Sequence, residues 1–211
     1  MIIGKQPGHC GLVTGKLFAE SALTSKAIIS SNIHDRAVRR VLITGCSGVG
    51  KSSVTRELAR RGYAAFDLDT PEWSHWVDAD PSDHYTPAKG RDWVWRDDRV
   101  AALLSGWTGG VLFVSGCAEN MGRLLPSLDL VILLSAPLQT IMNRLECRSG
   151  GSYGHSAEER TKIAHLIGTV EPLLRRSADY EIQTSRSVRE TADEVLRLTL
   201  SDGRESLTTE L

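Results

Sequence analysis

The feature that most constrains this chain is the run Gly45, Cys46, Ser47, Gly48, Val49, Gly50, Lys51, Ser52, which meets the pattern G-x-x-x-x-G-K-S/T without a mismatch. Its flanks are as specific as the run. Residues 41–44 are apolar and largely β-branched, the composition of a buried strand. Residues 51–61 set Val54 and Leu58 four apart and stop at Gly62, the composition of a helix with a glycine after its last turn. A strand, a glycine-rich turn and a helix in that order let successive backbone N–H groups converge on one anion, and side chains at the glycines would obstruct the approach. The helix aims its partial positive N-terminus at the same point. Residues 45–53, Ser53 included, are therefore expected to wrap the phosphates of a nucleotide. Lys51 supplies a full charge to the β- and γ-phosphates, and Ser52 offers a hydroxyl to Mg²⁺. The run from Gly11 to Lys16 looks superficially alike, but Cys10 stands where the first glycine is required and no strong strand precedes it.

Downstream of Arg39, short apolar runs alternate with amphipathic stretches, which is the signature of βαβ units around a parallel sheet. The predicted strands are 41–44, 63–68, 111–115, 130–135 and 180–184, and the first, third and fourth are nearly continuous in apolar residues, as for strands covered on both faces. A second helix is predicted over 137–147, with Leu138, Ile141, Met142 and Leu145 on one stripe. A third follows a capping box formed by Ser187 and Glu190. The fold class is α/β. With 211 residues the chain holds one such domain, set at 37–200. Residues 1–36 read as an N-terminal extension without sustained periodicity, and 201–211 as a polar tail.

Twenty-five Lys and Arg against 26 Asp and Glu leave almost no net charge, so no broad attraction to nucleic acid or to an anionic membrane is expected. Apolar runs such as 130–134 fall far short of the roughly 20 residues that cross a bilayer, and the start of the chain lacks a signal-peptide pattern. The cysteines Cys10, Cys46, Cys117 and Cys147 form no C-x-x-C pair, which fits reduced thiols in a cytoplasm.

On the acceptor side, Asp67 and Asp69 end the second strand at alternating positions, so both carboxylates are expected to point one way at the sheet edge where ligands collect. One orients the magnesium waters, and the other accepts or aligns the proton of an acceptor hydroxyl. The phosphate loop, the glycine-ended helix and this D-x-D strand together resemble the shikimate kinase and gluconate kinase group of small P-loop kinases, AAA-type ATP-binding proteins, over roughly residues 39–200. That resemblance implies a three-layer P-loop NTPase fold with a five-stranded parallel sheet, like that of nucleoside monophosphate kinases, with a small lid at about 148–160 and an acceptor region at about 70–100. It implies that Asp69 contacts the acceptor and that Asp67 lies nearer the metal. Residues 114–118 correspond to a small-residue turn facing the acceptor, without the triple glycine of shikimate kinases.

The same resemblance assigns Arg144 to the adenine and Arg148 to the transferred phosphoryl group, ahead of a glycine-rich hinge at 149–154. Arg160 is a further lid residue, and 183–186 an adenine-side loop. Trp73, Trp76, Trp93 and Trp95 crowd the acceptor region with His75, His84 and several acids. They suit stacking on a polyhydroxy, heteroaromatic or cationic acceptor, or else the core of a small helical subdomain. The expected activity is transfer of the γ-phosphate of ATP, with Mg²⁺, to a small hydroxylated metabolite. The alternatives are a nucleoside or nucleotide kinase, for which Arg91, Arg96 and Arg99 would be the basic residues, and a regulator or ATPase that transfers nothing. Neither an N-K-x-D guanine signature nor an acidic ATPase strand is present, since the third strand runs into Ser115 and Gly116. Monomer and homodimer both stay open.

Overall fold

The structure is a computed structural model and describes residues 39–147 and 153–201. The N-terminal extension with its loop-like run, Arg148, the first part of the glycine-rich hinge and the polar tail lie outside the described residues.

Five parallel strands form the main sheet in the order β2-β5-β1-β6-β7. They are β1 (Arg39–Thr44), β2 (Ala64–Asp67), β5 (Val111–Ser115), β6 (Leu130–Ser135) and β7 (Tyr180–Gln183). These are the strands predicted from the sequence, with β1 starting two residues earlier and the edge strands β2 and β7 shorter by two residues and one. β1 sits at the centre, so the loop that follows it emerges in the middle of the C-terminal edge.

Alternation along the central strands builds two cores. Val41, Ile43, Phe113, Ile132 and Leu134 face one way, onto α1 (Lys51–Arg60), α3 (Leu138–Glu146) and α6 (Val188–Ser201). Leu42, Leu112, Val114, Val131 and Leu133 face the other way, onto α2 (Asp97–Gly106), α5 (Glu171–Ser177) and two short 3₁₀ turns after β5. That is why β6 is buried along its whole length and why its sequence runs apolar without a break. Each buried leucine or isoleucine contributes about 1.5–3 kcal/mol, so the central strands carry much of the burial that stabilises the fold.

Between β2 and α2 the chain forms an antiparallel ribbon, β3 (Ser74–Asp78) with β4 (Arg91–Trp95), rather than the helical subdomain entertained for this region. Register explains the aromatic density. Trp76 stands opposite Trp93 with ring centroids 5.1 Å apart and edge-to-face, while Trp73 and Trp95 turn into the second core. Asn120 clamps the ribbon to the sheet by accepting from the Trp95 N–H and donating to the Trp95 carbonyl. Past the undescribed residues comes α4 (Ala157–Thr169), opened by a capping box between Ser156 and Glu159.

Candidate active site

Gly45 leaves β1 at φ +142°, and a Cβ there would lie 2.3 Å from the carbonyl oxygen of Leu134 in β6. The loop is thus pressed against the neighbouring strand, and only glycine fits. Gly50 is the N-cap of α1 at φ +107°, with no atom within 4 Å of where its Cβ would be. There the requirement is conformation and an open approach. The first turn of α1 carries no acidic residue and no side-chain cap, so its N–H groups and its dipole face an anion site.

Lys51 is buried at the start of α1. Its ammonium donates to the carbonyls of Gly45 at 2.8 Å and Cys46 at 3.5 Å, and lies 3.5 Å from Asp69 Oδ2. Burial works against the charged amine, but the fields of Asp69, Cys117, Cys46 and Asp67 outweigh it and hold Lys51 above the ordinary lysine value. The same burial raises the Asp69 carboxyl against the pull of Lys51, with Asp67 adding to the rise. The pair is therefore a strongly coupled ion pair facing the cavity.

β2 ends at Asp67, and Asp69 lies in the turn beyond it. Strand alternation therefore does not set the direction of the second carboxylate, contrary to the reading that the two point alike. Asp67 Oδ1 accepts the N–H of Asp69, whereas Asp69 Oδ1 accepts the N–H of Cys117 just past β5. Gly116 makes this contact possible, because a Cβ there would meet Asp69 Oδ1 at 2.7 Å and the Trp95 indole at 2.9 Å. The Trp95 indole N–H lies beside Asp69 and favours its anionic form. Ser115 Oγ accepts from Thr55 at 2.7 Å, tying α1 to β5 directly beneath the loop.

One cavity of about 1190 Å³ runs past these groups. Cys46, Ser47, Gly48, Val49, Gly50, Lys51, Ser52 and Ser53 line it, and so does Asp69 from the turn after β2. Asp67 does not line it, although its charge acts on Lys51. Arg144 lines the far side, where its guanidinium donates to the Thr184 hydroxyl at 2.9 Å, to the Thr184 carbonyl and to the Val49 carbonyl at 3.3 Å. Thr184 also donates to Val49. Arg144 and Thr184 thus lock the phosphate loop to the end of β7. Neither backbone carbonyl could be foreseen from side-chain identities.

Arg160 turns away from the cavity, bonding the His155 carbonyl and approaching Glu146 at 3.9 Å. Cys46 packs in the core with its thiol pushed up to about 12 by burial, so it fills space rather than acting as a nucleophile. Among the described residues no group of three or more His, Cys, Asp or Glu is placed to hold a metal ion, and no helix is long and apolar enough to cross a membrane.

A central parallel strand, this glycine loop and a buried lysine at the head of the next helix define a P-loop protein of the α/β class. The family model described as an AAA domain matches residues 41–165, more than half of the chain, and the protein belongs to that family. Among solved structures, the shikimate kinase from Acinetobacter baumannii in complex with shikimate is similar at 20% identity and a TM-score of 0.55, covering 86% of this chain and 99% of that one. The protein TT1252 from Thermus thermophilus is similar at 19% identity and a TM-score of 0.50, covering 79% of this chain and 98% of that one. At these identities the likeness establishes the fold, which is the one the motifs led us to expect. No curated protein matches the sequence.

Proposed function

We propose that the protein is an ATP-dependent kinase that transfers the γ-phosphate to a hydroxyl of a small molecule bound beside Asp69. The observation that carries this reading is the position of Lys51, 3.5 Å from Asp69 and at the head of the phosphate-loop helix, so that one cation borders both phosphate and acceptor. The acceptor hydroxyl oxygen bonds to the γ-phosphorus while the bond from that phosphorus to the β–γ bridging oxygen breaks. Asp69 takes the hydroxyl proton, and ADP leaves with the bridging oxygen. Lys51 neutralises charge gathering on the phosphoryl oxygens.

Ser52, whose hydroxyl is a hard oxygen donor on the cavity wall, would hold Mg²⁺ directly, whereas Asp67 does not line the cavity and would act on the ion only through a water. With so few protein ligands, phosphates and water would complete the shell. When bound, the ion supplies further neutralisation of phosphate charge. Arg148 is proposed to reach the phosphoryl group from the lid, and Arg144 to flank the adenine from its anchored position. Free Cys46, Cys117 and Cys147 support a reducing, cytoplasmic setting.

The nucleotide-kinase alternative is disfavoured by where its basic residues lie. Arg99 pairs with Glu72 and stacks over Trp73, Arg91 stacks over Trp76, and Arg96 lines a separate small cavity. None of the three lines the main one. The test is ADP release by the purified full chain across a library of hydroxylated metabolites, with Lys51→Ala as blank. Acceptor-dependent release is expected. Release that no compound accelerates would point instead to an ATPase or switch.

A further inference from the structure

Two carbonyls of the phosphate loop, those of Gly45 and Cys46, are held from within by the ammonium of Lys51. The Val49 carbonyl is held from outside. It accepts the Thr184 hydroxyl at 2.8 Å and the Arg144 guanidinium at 3.3 Å, groups that come from just past β7 and from α3. Thr184 is only 4% exposed, so water cannot readily replace its bond.

The hydroxyl has one proton and two acceptors in reach, the Val49 carbonyl at 2.8 Å and the Ser135 carbonyl at 3.2 Å. The Ser135 carbonyl already accepts the Thr184 N–H at 2.8 Å. The shorter contact, to Val49, therefore takes the hydroxyl proton, which leaves a lone pair for the Arg144 guanidinium at 2.9 Å. The bond from the Thr184 N–H also fixes the residue beside β6 without help from its side chain.

What the hydroxyl controls is the peptide between Val49 and Gly50. It is planar and trans, so its N–H points opposite to its carbonyl. A carbonyl held toward Thr184 and Arg144 turns the Gly50 N–H away from them. That N–H has no acceptor among the described residues. Gly50 lines the cavity, and no atom lies within 4 Å of where its Cβ would be, so an anion can approach. The cationic donor on the carbonyl also polarises the peptide and makes its N–H a stronger donor.

We infer that Thr184 is a positioning residue for the phosphates of the nucleotide. Its hydroxyl, backed by Arg144, sets the Val49–Gly50 peptide so that the Gly50 N–H meets a phosphate oxygen. A residue far outside the glycine pattern thus completes the cradle. This rests on the loop being the nucleotide site and not on the transfer step.

Val followed by Gly occurs at 49–50 and nowhere else in the chain. Labelling valine carbonyls with ¹³C and glycine nitrogens with ¹⁵N therefore gives one correlated amide resonance, that of Gly50, from the full chain. Saturating Mg–ADP is expected to move it downfield in the native protein, as bonding to a phosphate oxygen does. Thr184→Val keeps the side-chain shape and loses the hydroxyl. It is expected to bind Mg–ADP roughly tenfold more weakly and to lose most of the downfield shift at saturation. Thr184→Ser keeps the hydroxyl and is expected to restore both. Should the valine protein not fold, Thr184→Ala takes its place. A Gly50 resonance that stays put in the native protein overturns the inference. So does a full shift in the saturated variant without the hydroxyl, or a failure of Thr184→Ser to restore the shift. The expected shifts without acceptor-dependent ADP release would sink the transfer reading and leave this one standing.

Discussion

The two ends of the cavity are built from different materials. The phosphate end is backbone: glycines at positive φ, helix N–H groups, and carbonyls of Gly45, Cys46 and Val49 that anchor Lys51, Arg144 and Thr184. It sits on the strand buried from both sides. The acceptor end is side chain: carboxylates and tryptophans on a two-stranded ribbon, tied to the sheet by Asn120 and the turn at Gly116. Main-chain geometry can be demanded by a chemistry common to every nucleotide, whereas side chains on a ribbon can be exchanged without disturbing the sheet. The difference separates what is general about the reaction from what is particular to its acceptor.

The comparison breaks most sharply at Lys51. Lys51→Ala removes the cation shared by both ends and leaves Asp69 buried without its partner, so nucleotide-dependent turnover is expected to fall about 10³-fold in steady-state assays. Next comes Gly45→Ala, which forces a Cβ against the Leu134 carbonyl. A loss of about 3 kcal/mol, seen as a melting temperature lower by roughly 6–12 °C, is expected, while an alanine at Gly62, where no atom lies within 4 Å of the new Cβ, meets only its own backbone strain.

The acceptor end should show itself in pH. Burial lifts the Asp69 carboxyl above its ordinary value of 3.8, and in the proposed transfer it is the ionised form that takes the proton. Transfer should therefore rise with pH through an inflection above 3.8, and Asp69→Asn should abolish that inflection in a pH–rate profile.

The smallest effect lies remote from both ends. Arg60 and Arg61 hold the Glu57 carboxyl down to about 2, against 4.5 unperturbed. A carboxyl lowered on folding contributes stability that is full above about 4.5 and is lost as pH falls through about 2. Melting curves of Glu57→Gln and the native chain should converge below that range and separate slightly above it.

The same contrast decided what could be read in the sequence. The loop, β1 and α1 were legible because glycine spacing and apolar periodicity encode a backbone path, and the three central strands β1, β5 and β6 followed from their two-sided burial. The ribbon was not. β3 places Trp76 between His75 and Val77, with the apolar residues on both faces, so no period of two stands out. α2 and α4 lie outside the predicted helices, although Asp97 and Asp98 ahead of Val100 and Leu104 mark the start of the first and the capping box of Ser156 and Glu159 that of the second. The Cys117 N–H that orients Asp69 and the carbonyls that hold Arg144 depend on main-chain positions no side-chain motif reports.

The central claim is that nucleotide and acceptor are served by separate residues meeting at Lys51. Asp69→Asn tests it most directly, with Mg–ATP affinity by calorimetry and phosphoryl transfer by ADP release measured on the same protein. The account predicts affinity within about threefold of the native chain and transfer lower by about 10²-fold. Native transfer rates in that variant would contradict it, as would loss of nucleotide affinity in step with transfer.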